Sequence, residues 1–122
     1  MKKTYPFLLV SFLFFWSCEE EQDNTPPAVT ITFPQSNSTV SEIVSITCVS
    51  SDNEGVDRVE LWVNGATTNL TDISEPYSFN WNTTLIDNGN YTITIRSYDT
   101  SDNTTDSDPI ILTVDNTQSN PH

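Results

Sequence analysis

Residues 75–91, EPYSFNWNTTLIDNGNY, decide the fold of this chain. Tyr77, Phe79 and Trp81 alternate at a period of two, which places three aromatic rings on one face of a β-strand. The DNG sequence at 87–89 then predicts a turn, after which a new alternating run begins. So dense a group of large apolar side chains predicts that the middle of a hydrophobic core lies here.

Short alternating runs separated by turn residues continue on both sides of this stretch. No segment has the i, i+3, i+4 apolar spacing of an amphipathic helix. The predicted strands are 29–33, 43–50, 56–64, 66–71, 77–81, 91–98 and 110–114. Turn signals at such short intervals are typical of β-sandwiches. The sequence therefore predicts an all-β, immunoglobulin-like sandwich of about seven antiparallel strands.

The composition limits both the size of the protein and its partners. The chain has 122 residues, which is room for one domain, and a formal net charge of −13. After the N-terminal leader considered next, Arg58 and Arg96 are the remaining basic residues against 17 acidic ones. Because so acidic a surface repels phosphate backbones, we expect no nucleic-acid partner.

The N-terminus has the pattern of an export signal. Lys2 and Lys3 precede an apolar run at 6–16, PFLLVSFLFFW, which is too short to span a bilayer comfortably as a mature helix. A small residue, then Cys18, then an acidic run at 19–23 follow. This arrangement resembles the lipobox of bacterial lipoproteins, in the aromatic variants of Bacteroidetes-type leaders.

The resemblance implies that residues 1–17 are a cleaved signal peptide and that Cys18 carries lipid. The acidic run resembles the signal that exports such lipoproteins to the outer face of the outer membrane, so we expect a lipid-anchored, surface-exposed protein. Residues 18–27 would be an acidic tether, 28–115 the domain and 116–122 a disordered tail. The alternative is a signal peptide cut elsewhere, with Cys18 an ordinary residue of a secreted protein.

Cys48 is the second of two cysteines, and we predict that it is buried and free. Cys18 is committed to lipid if the leader is a lipobox. Cys48 faces the same way as Val44 and Ile46 in an alternating run, where a small apolar thiol packs well.

Four motifs resemble a known family. They are SDNEGV at 51–56, VELWVNG at 59–65, PYSFNW at 76–81 and DNGNY at 87–91. Together they are similar to the bacterial immunoglobulin-like (Big-type) domains repeated in exported surface proteins, over about 27–114. The resemblance implies modules that space or present other domains.

The same resemblance assigns structural roles to aromatic residues. Tyr91 would form a tyrosine corner, in which its hydroxyl ties the preceding loop to the strand. Antibody-type domains have a cysteine two residues later, where this chain has Ile93, so the inter-sheet disulfide is absent. We therefore expect stability to depend on packing of Tyr77, Phe79 and Trp81.

The residue types that most catalytic sites need are missing. The single histidine, His122, is the last residue, no lysine follows the leader, and the three glycines are scattered through turns. No Ser–His–Asp triad, histidine metal site or phosphate-binding loop can be built from these residues. We predict that the domain is not an enzyme.

Two acidic loops suggest a cation site. One loop follows the second predicted strand and the other precedes the last, and such loops share one end of an immunoglobulin-like sandwich. The candidate oxygen ligands are Asp52, Asn53, Glu54, Asp99, Asp102 and Asp106. They suit Ca²⁺, which is the one cofactor that the residues suggest. The alternative is that turns simply prefer Asp and Asn.

A second candidate site lies on the outward face of the third and sixth predicted strands. Alternation places Arg58, Glu60 and Trp62 beside Arg96 and Tyr98. Aromatic and arginine side chains there could stack on a sugar ring or bind a surface-protein partner. The alternative is a set of ordinary cross-strand pairs.

These observations predict a non-catalytic, lipid-anchored module that binds, adheres or acts as a spacer at the cell surface. A rival hypothesis is an N-terminal accessory domain, with carbohydrate binding as one role, of a larger surface enzyme that processes polysaccharides. A third is a purely structural envelope protein.

Overall fold

A computed structural model describes residues 24–117. The predicted signal peptide, the lipidation site Cys18 and most of the acidic tether lie outside the described residues, as do residues 118–122. Within 24–117 no helix is both long and apolar enough to cross a membrane.

Nine strands and one short 3-10 helix make up the described chain. The strands are β1 (Ala28–Phe33), β2 (Ser38–Val40), β3 (Ile43–Ser51), β4 (Val56–Val63), β5 (Ala66–Asp72), β6 (Tyr77–Asn82), β7 (Gly89–Asp99), β8 (Thr104–Asp106) and β9 (Ile110–Val114). The 3-10 helix, Thr83–Leu85, connects β6 to the corner before β7.

The strands form two sheets packed face to face, which confirms the predicted all-β sandwich. The smaller sheet has the order β1-β3-β6, and the larger has the order β2-β9-β7-β4-β5, with β8 also paired to β7. All pairings are antiparallel except that of β2 with β9, which is parallel.

The prediction of about seven antiparallel strands is therefore corrected to nine, with one parallel pairing. Every predicted strand is present, and β2 and β8 are the additions. Each of these has three residues, too few for an alternating pattern to be detected. Their backbone pairing to β9 and β7 defines them instead.

Alternating residues of both sheets fill the core. The buried apolar side chains are Val44, Ile46, Cys48, Val59, Leu61, Tyr77, Phe79, Trp81, Ile93, Ile95, Leu112 and Val114. Val63, which the alternation also directs inward, is only partly buried against them. Trp81 meets Tyr91 edge to face, with ring centroids 5.7 Å apart and an interplanar angle of 77°.

The corner before β7 is tied by Tyr91. Its hydroxyl donates a 2.5 Å hydrogen bond to the backbone carbonyl of Asp87, four residues upstream. This is the contact that the family resemblance assigns to a tyrosine corner.

Asn116 belongs to the folded domain, although a disordered tail is predicted from this residue onward. Its backbone N–H donates to Asn88 Oδ1 at 2.9 Å, and its side-chain oxygen accepts from Glu42 N–H at 2.7 Å. Its amide nitrogen donates to the carbonyl of Thr83 at 3.0 Å. One asparagine thus joins three loops at the end of β9.

Candidate functional site

The predicted aromatic–arginine patch is assembled on the outer face of the larger sheet. In the β4–β7 register Arg58 lies opposite Tyr98, and Glu60 lies opposite Arg96. Trp62 follows two residues after Glu60, on the same face of β4. The structure therefore brings all five side chains together.

Each arginine in this patch covers an aromatic ring. The guanidinium carbon of Arg58 lies 3.7 Å from the ring centroid of Tyr98, and that of Arg96 lies 4.2 Å from the Trp62 ring. Such cation–π contacts stabilise the sheet surface. They also cover one face of each ring, so a sugar could stack there only after an arginine had moved.

The polar groups of the patch are paired with one another. Glu60 Oε1 accepts from Trp62 Nε1 at 3.2 Å and from the Tyr98 hydroxyl at 2.9 Å. Arg96 makes a two-point contact with Asp106, at 2.7 and 3.1 Å, and the guanidinium holds the pKa of that carboxyl below its usual value. The patch therefore has the ordinary cross-strand pairs that are the alternative to a ligand-binding site.

Arg58 completes this network. Its Nη1 lies 2.7 Å from Asp57 Oδ2, and its Nε lies 3.6 Å from Glu60 Oε2. The hydrogen bond to Asp57 is the main cause of its raised pKa. Both arginines of the described chain are therefore engaged inside the patch.

The two acidic loops meet at one end of the sandwich, as predicted. Val56 pairs with Asp99, and Thr100 N–H donates to the Gly55 carbonyl at 3.3 Å. Within residues 24–117 no three His, Cys, Asp or Glu side chains are grouped so that they could hold a metal ion.

The carboxylate of Asp99 is already engaged by donors of its own loop and is not free to bind a metal ion. Its side chain is fully buried, and Oδ1 accepts from the backbone N–H groups of Ser101 and Asn103, both at 2.8 Å. Oδ2 accepts from the Asn103 side-chain amide at 2.9 Å. The carboxylate therefore organises its own loop, as Asp does in turns.

The other candidate ligands differ in how far their oxygens are engaged by the protein. Asp52 Oδ2 accepts from Glu54 N–H at 2.9 Å, while Oδ1 is buried without a partner in the described chain. Asp102 and Glu54 are exposed, and Asp102 takes a left-handed backbone with φ of 67°. Asp106 is the partner of Arg96. Asp99 and Asp106 are thus engaged by protein donors, and calcium binding by the loop pair stays a prediction.

Cys48 is buried and free within residues 24–117. Burial, with the nearby carboxylate of Asp72, raises the pKa of its thiol to about 11. At neutral pH the reactive thiolate is therefore scarcer, by about 100-fold, than for an ordinary cysteine.

We accordingly expect iodoacetamide to modify native Cys48 at least about 100-fold more slowly than an exposed thiol at pH 8. An Asn53→Cys variant supplies that exposed thiol in the same protein. Mass spectrometry of peptides from timed samples measures both rates. Equal rates at the two positions would show that the core around Cys48 opens readily to the reagent.

One feature that the sequence patterns did not predict is the absence of charge on the smaller sheet. Strands β1, β3 and β6 contain no charged residue, in a chain with a net charge of −13. A comparison of charge between predicted strands would have found it.

The two packed sheets and the tyrosine corner are those of an immunoglobulin-like module. Residues 27–95 match the family described as Bacterial Ig domain, and the chain belongs to that family. A search of the curated proteins found no match.

Solved structures with the same fold include modules of larger proteins. The fibronectin(III)-like modules of CbhA from Clostridium thermocellum are 28% identical to this chain, with a TM-score of 0.68, and the match covers 80% of this chain and 50% of that one. The endo-beta-1,4-mannanase from Thermotoga petrophila is 16% identical, with a TM-score of 0.59, over 78% of this chain and 21% of the mannanase. The chain thus spans half or less of these proteins.

Proposed function

We propose that this protein is a lipid-anchored spacer module on the bacterial outer membrane. In this role Cys18 carries the lipid, and the non-catalytic Ig domain holds whatever follows it away from the membrane. The observation that carries the proposal is the position of the two ends of the domain.

The chain enters and leaves the sandwich at opposite ends. Ala28, the first residue of β1, pairs with Ser51, the last residue of β3. Ser51 is five residues before Val56, which pairs with Asp99 at this end of the sandwich. Val114, the last residue of β9, pairs with Gly89 at the other end of β7. Because β7 has 11 residues, the two ends lie about 30 Å apart.

Both ends are tied to the sandwich, which a spacer requires if it is to fix a direction as well as a distance. At the first end Pro27 is buried, and the Ser50 hydroxyl donates to the Ala28 carbonyl at 2.7 Å. At the other end Asn116 joins three loops, as described above.

The proposal is tested by energy transfer between the protein and a membrane. The lipidated full chain is placed in vesicles that contain acceptor-labelled lipid, with a donor dye on Asn24→Cys or on Thr117→Cys. We expect strong transfer from position 24, close to the anchor, and much weaker transfer from position 117, about 30 Å farther away. The raised pKa of Cys48 keeps labelling selective.

The control is the Cys18→Ala variant, which lacks the proposed anchor. It is expected to stay in solution when the vesicles are sedimented. Binding of this variant to vesicles would refute the anchor. Equal transfer from positions 24 and 117 would refute the spacer, because it would mean that the domain lies flat on the membrane.

A second candidate is an accessory domain of a larger surface enzyme that processes polysaccharides. The matches to CbhA modules and to part of a mannanase favour it, since in both cases the likeness covers half or less of the other chain. Chemical cross-linking on intact cells followed by mass spectrometry tests it. Recovery of cross-links to a glycoside hydrolase would support this candidate, and none would favour the free spacer.

A further inference from the structure

The two sheets of the sandwich differ sharply in charge. The strands of the smaller sheet read AVTITF, IVSITCVSS and YSFNWN, without one charged side chain. Both arginines and all the strand carboxylates of the described chain lie on the larger sheet. Charged side chains on exposed edge strands help to prevent association. Both edge strands of this sheet, β1 and β6, lack them, which calls for a physical explanation.

The outer face of the smaller sheet combines apolar groups with neutral polar ones. Phe33 is 58% exposed and lies opposite Thr47, which in turn lies opposite Ser78. Along β3, Ile43 is 62% exposed and Val49 is 59% exposed, one near each end of the strand. Apolar side chains are therefore spaced along the face, with hydroxyl and amide groups between them.

Several of those polar groups have no partner inside the domain. Ser45 lies opposite Asn80, beside the row formed by Phe33, Thr47 and Ser78. Within residues 24–117 the side chains of Ser45, Ser78 and Asn80 make no hydrogen bond to another residue, whereas Thr47 is bonded to Thr32 at 2.8 Å. The outer face thus has an exposed aromatic ring, that of Phe33, near one side-chain amide and two hydroxyl groups that have no partner within the described chain.

The size and charge of the face limit what can cover it. Three strands spaced about 5 Å apart and about 25 Å long give roughly 300–400 Å², against roughly 800 Å² on each partner of a stable complex. The three strands have no charged side chain to pair with an ionic ligand. Asp72 beside β6 is already engaged by the Ser78 N–H at 3.0 Å, and the acidic remainder of the chain repels anions. The occupant is therefore narrow and uncharged.

We propose that the outer face of β1, β3 and β6 binds a neutral polysaccharide chain. Sugar rings present apolar C–H faces that stack on an aromatic ring, here Phe33. Their hydroxyl groups donate to and accept from amides and hydroxyls, here Asn80, Ser45 and Ser78. This inference goes beyond the spacer function and does not depend on it. It also locates sugar binding on the opposite sheet from Trp62.

Affinity electrophoresis of the full chain in native gels tests the proposal. The gels contain glucomannan, hydroxyethylcellulose or, as the anionic comparison, polygalacturonate. We expect the wild type to be retarded by at least one neutral polymer and not by polygalacturonate. Asn80→Asp, which places a charge on the face, and Phe33→Ala should each weaken binding by about ten-fold or more.

The matched control is Asn53→Asp, which adds the same charge on an exposed loop away from this face. It should bind as the wild type does. Ser45→Asp places the charge on β3 instead of β6, and circular dichroism melts of all variants show whether they fold. Undiminished binding by folded Asn80→Asp, or no retardation of the wild type by either neutral polymer, would overturn the proposal. So would a dimer in light scattering that Asn80→Asp dissociates, because the face would then join two copies.

Discussion

Replacing Trp81 with alanine is expected to lower the free energy of unfolding by about 4 kcal/mol. The Trp81 side chain is only 6% exposed, lies opposite Val44 in the β3–β6 pair and packs edge to face on Tyr91. Its removal leaves a large cavity in the centre of the core. Because small domains have about 5–15 kcal/mol of stability in total, the variant should be close to unfolding at 25 °C. Urea titration followed by circular dichroism measures the change.

Trp62→Ala is the matched control, since it removes the same side chain from the outer face of the larger sheet. There the loss is restricted to the contact with Arg96 and the hydrogen bond to Glu60, so about 1 kcal/mol is expected. Similar losses for the two variants would mean that the tryptophans do not have the inside and outside positions described.

Asp99→Ala is expected to cost about 3 kcal/mol, although it removes one negative charge from a highly acidic protein. The buried carboxylate accepts from Ser101 N–H, Asn103 N–H and the Asn103 amide. Hydrogen bonds to a carboxylate are the stronger kind, and donors left without an acceptor in this partly buried loop add to the cost. Urea unfolding of the variant measures the loss.

Two further variants separate this role from a general effect of the loop. Ser101→Ala makes the same kind of change at an exposed side chain and should shift stability by less than about 0.5 kcal/mol. Asp99→Asn keeps an oxygen for the two backbone N–H groups and should recover part of the loss. A loss for Asp99→Ala as small as that for Ser101→Ala would contradict the role assigned to the carboxylate.

Most strands of this fold are readable from the sequence because β3, β4, β6, β7 and β9 each bury alternate residues. Val44, Ile46 and Cys48 alternate, as do Ile93 and Ile95, and all five are in the core. The short strands β2 and β8 lack this signal, since backbone pairing with neighbours distant in sequence defines them. A sequence pattern shows what a strand buries but not which edge it pairs with.

The candidate sites were predictable in position but not in geometry. Alternation places Trp62 and Arg96 on one face, but it cannot show that the guanidinium lies over the ring. Loop assignment brings Asp52 and Asp99 to one end, but it cannot show that Asp99 is already occupied by its own loop. Hydrogen-bond donors two to four residues away decide whether such a carboxylate is available to a ligand.

The absence of charge on the smaller sheet was readable from the sequence but needed the structure for its meaning. The three strands are distant along the chain, so their neutrality becomes a single surface only when β1, β3 and β6 are paired. The position of Phe33 was not readable in the same way. A register shift between Ile31 and Phe33 places its ring opposite Thr47, although the alternation of β1 directs it inward.

The parallel pair of β2 with β9 has a mechanical consequence. If the proposed anchor holds the N-terminal end and a load pulls on the other end, the force on β1 draws β2 toward the N-terminal end of the sandwich. The same force draws β9 toward the opposite end. The two strands are then loaded in shear, so their hydrogen bonds share the force at once instead of breaking in sequence. A module stretched between a membrane and an attached load would resist that load through Ser38–Val40, three residues without a recognisable pattern of their own.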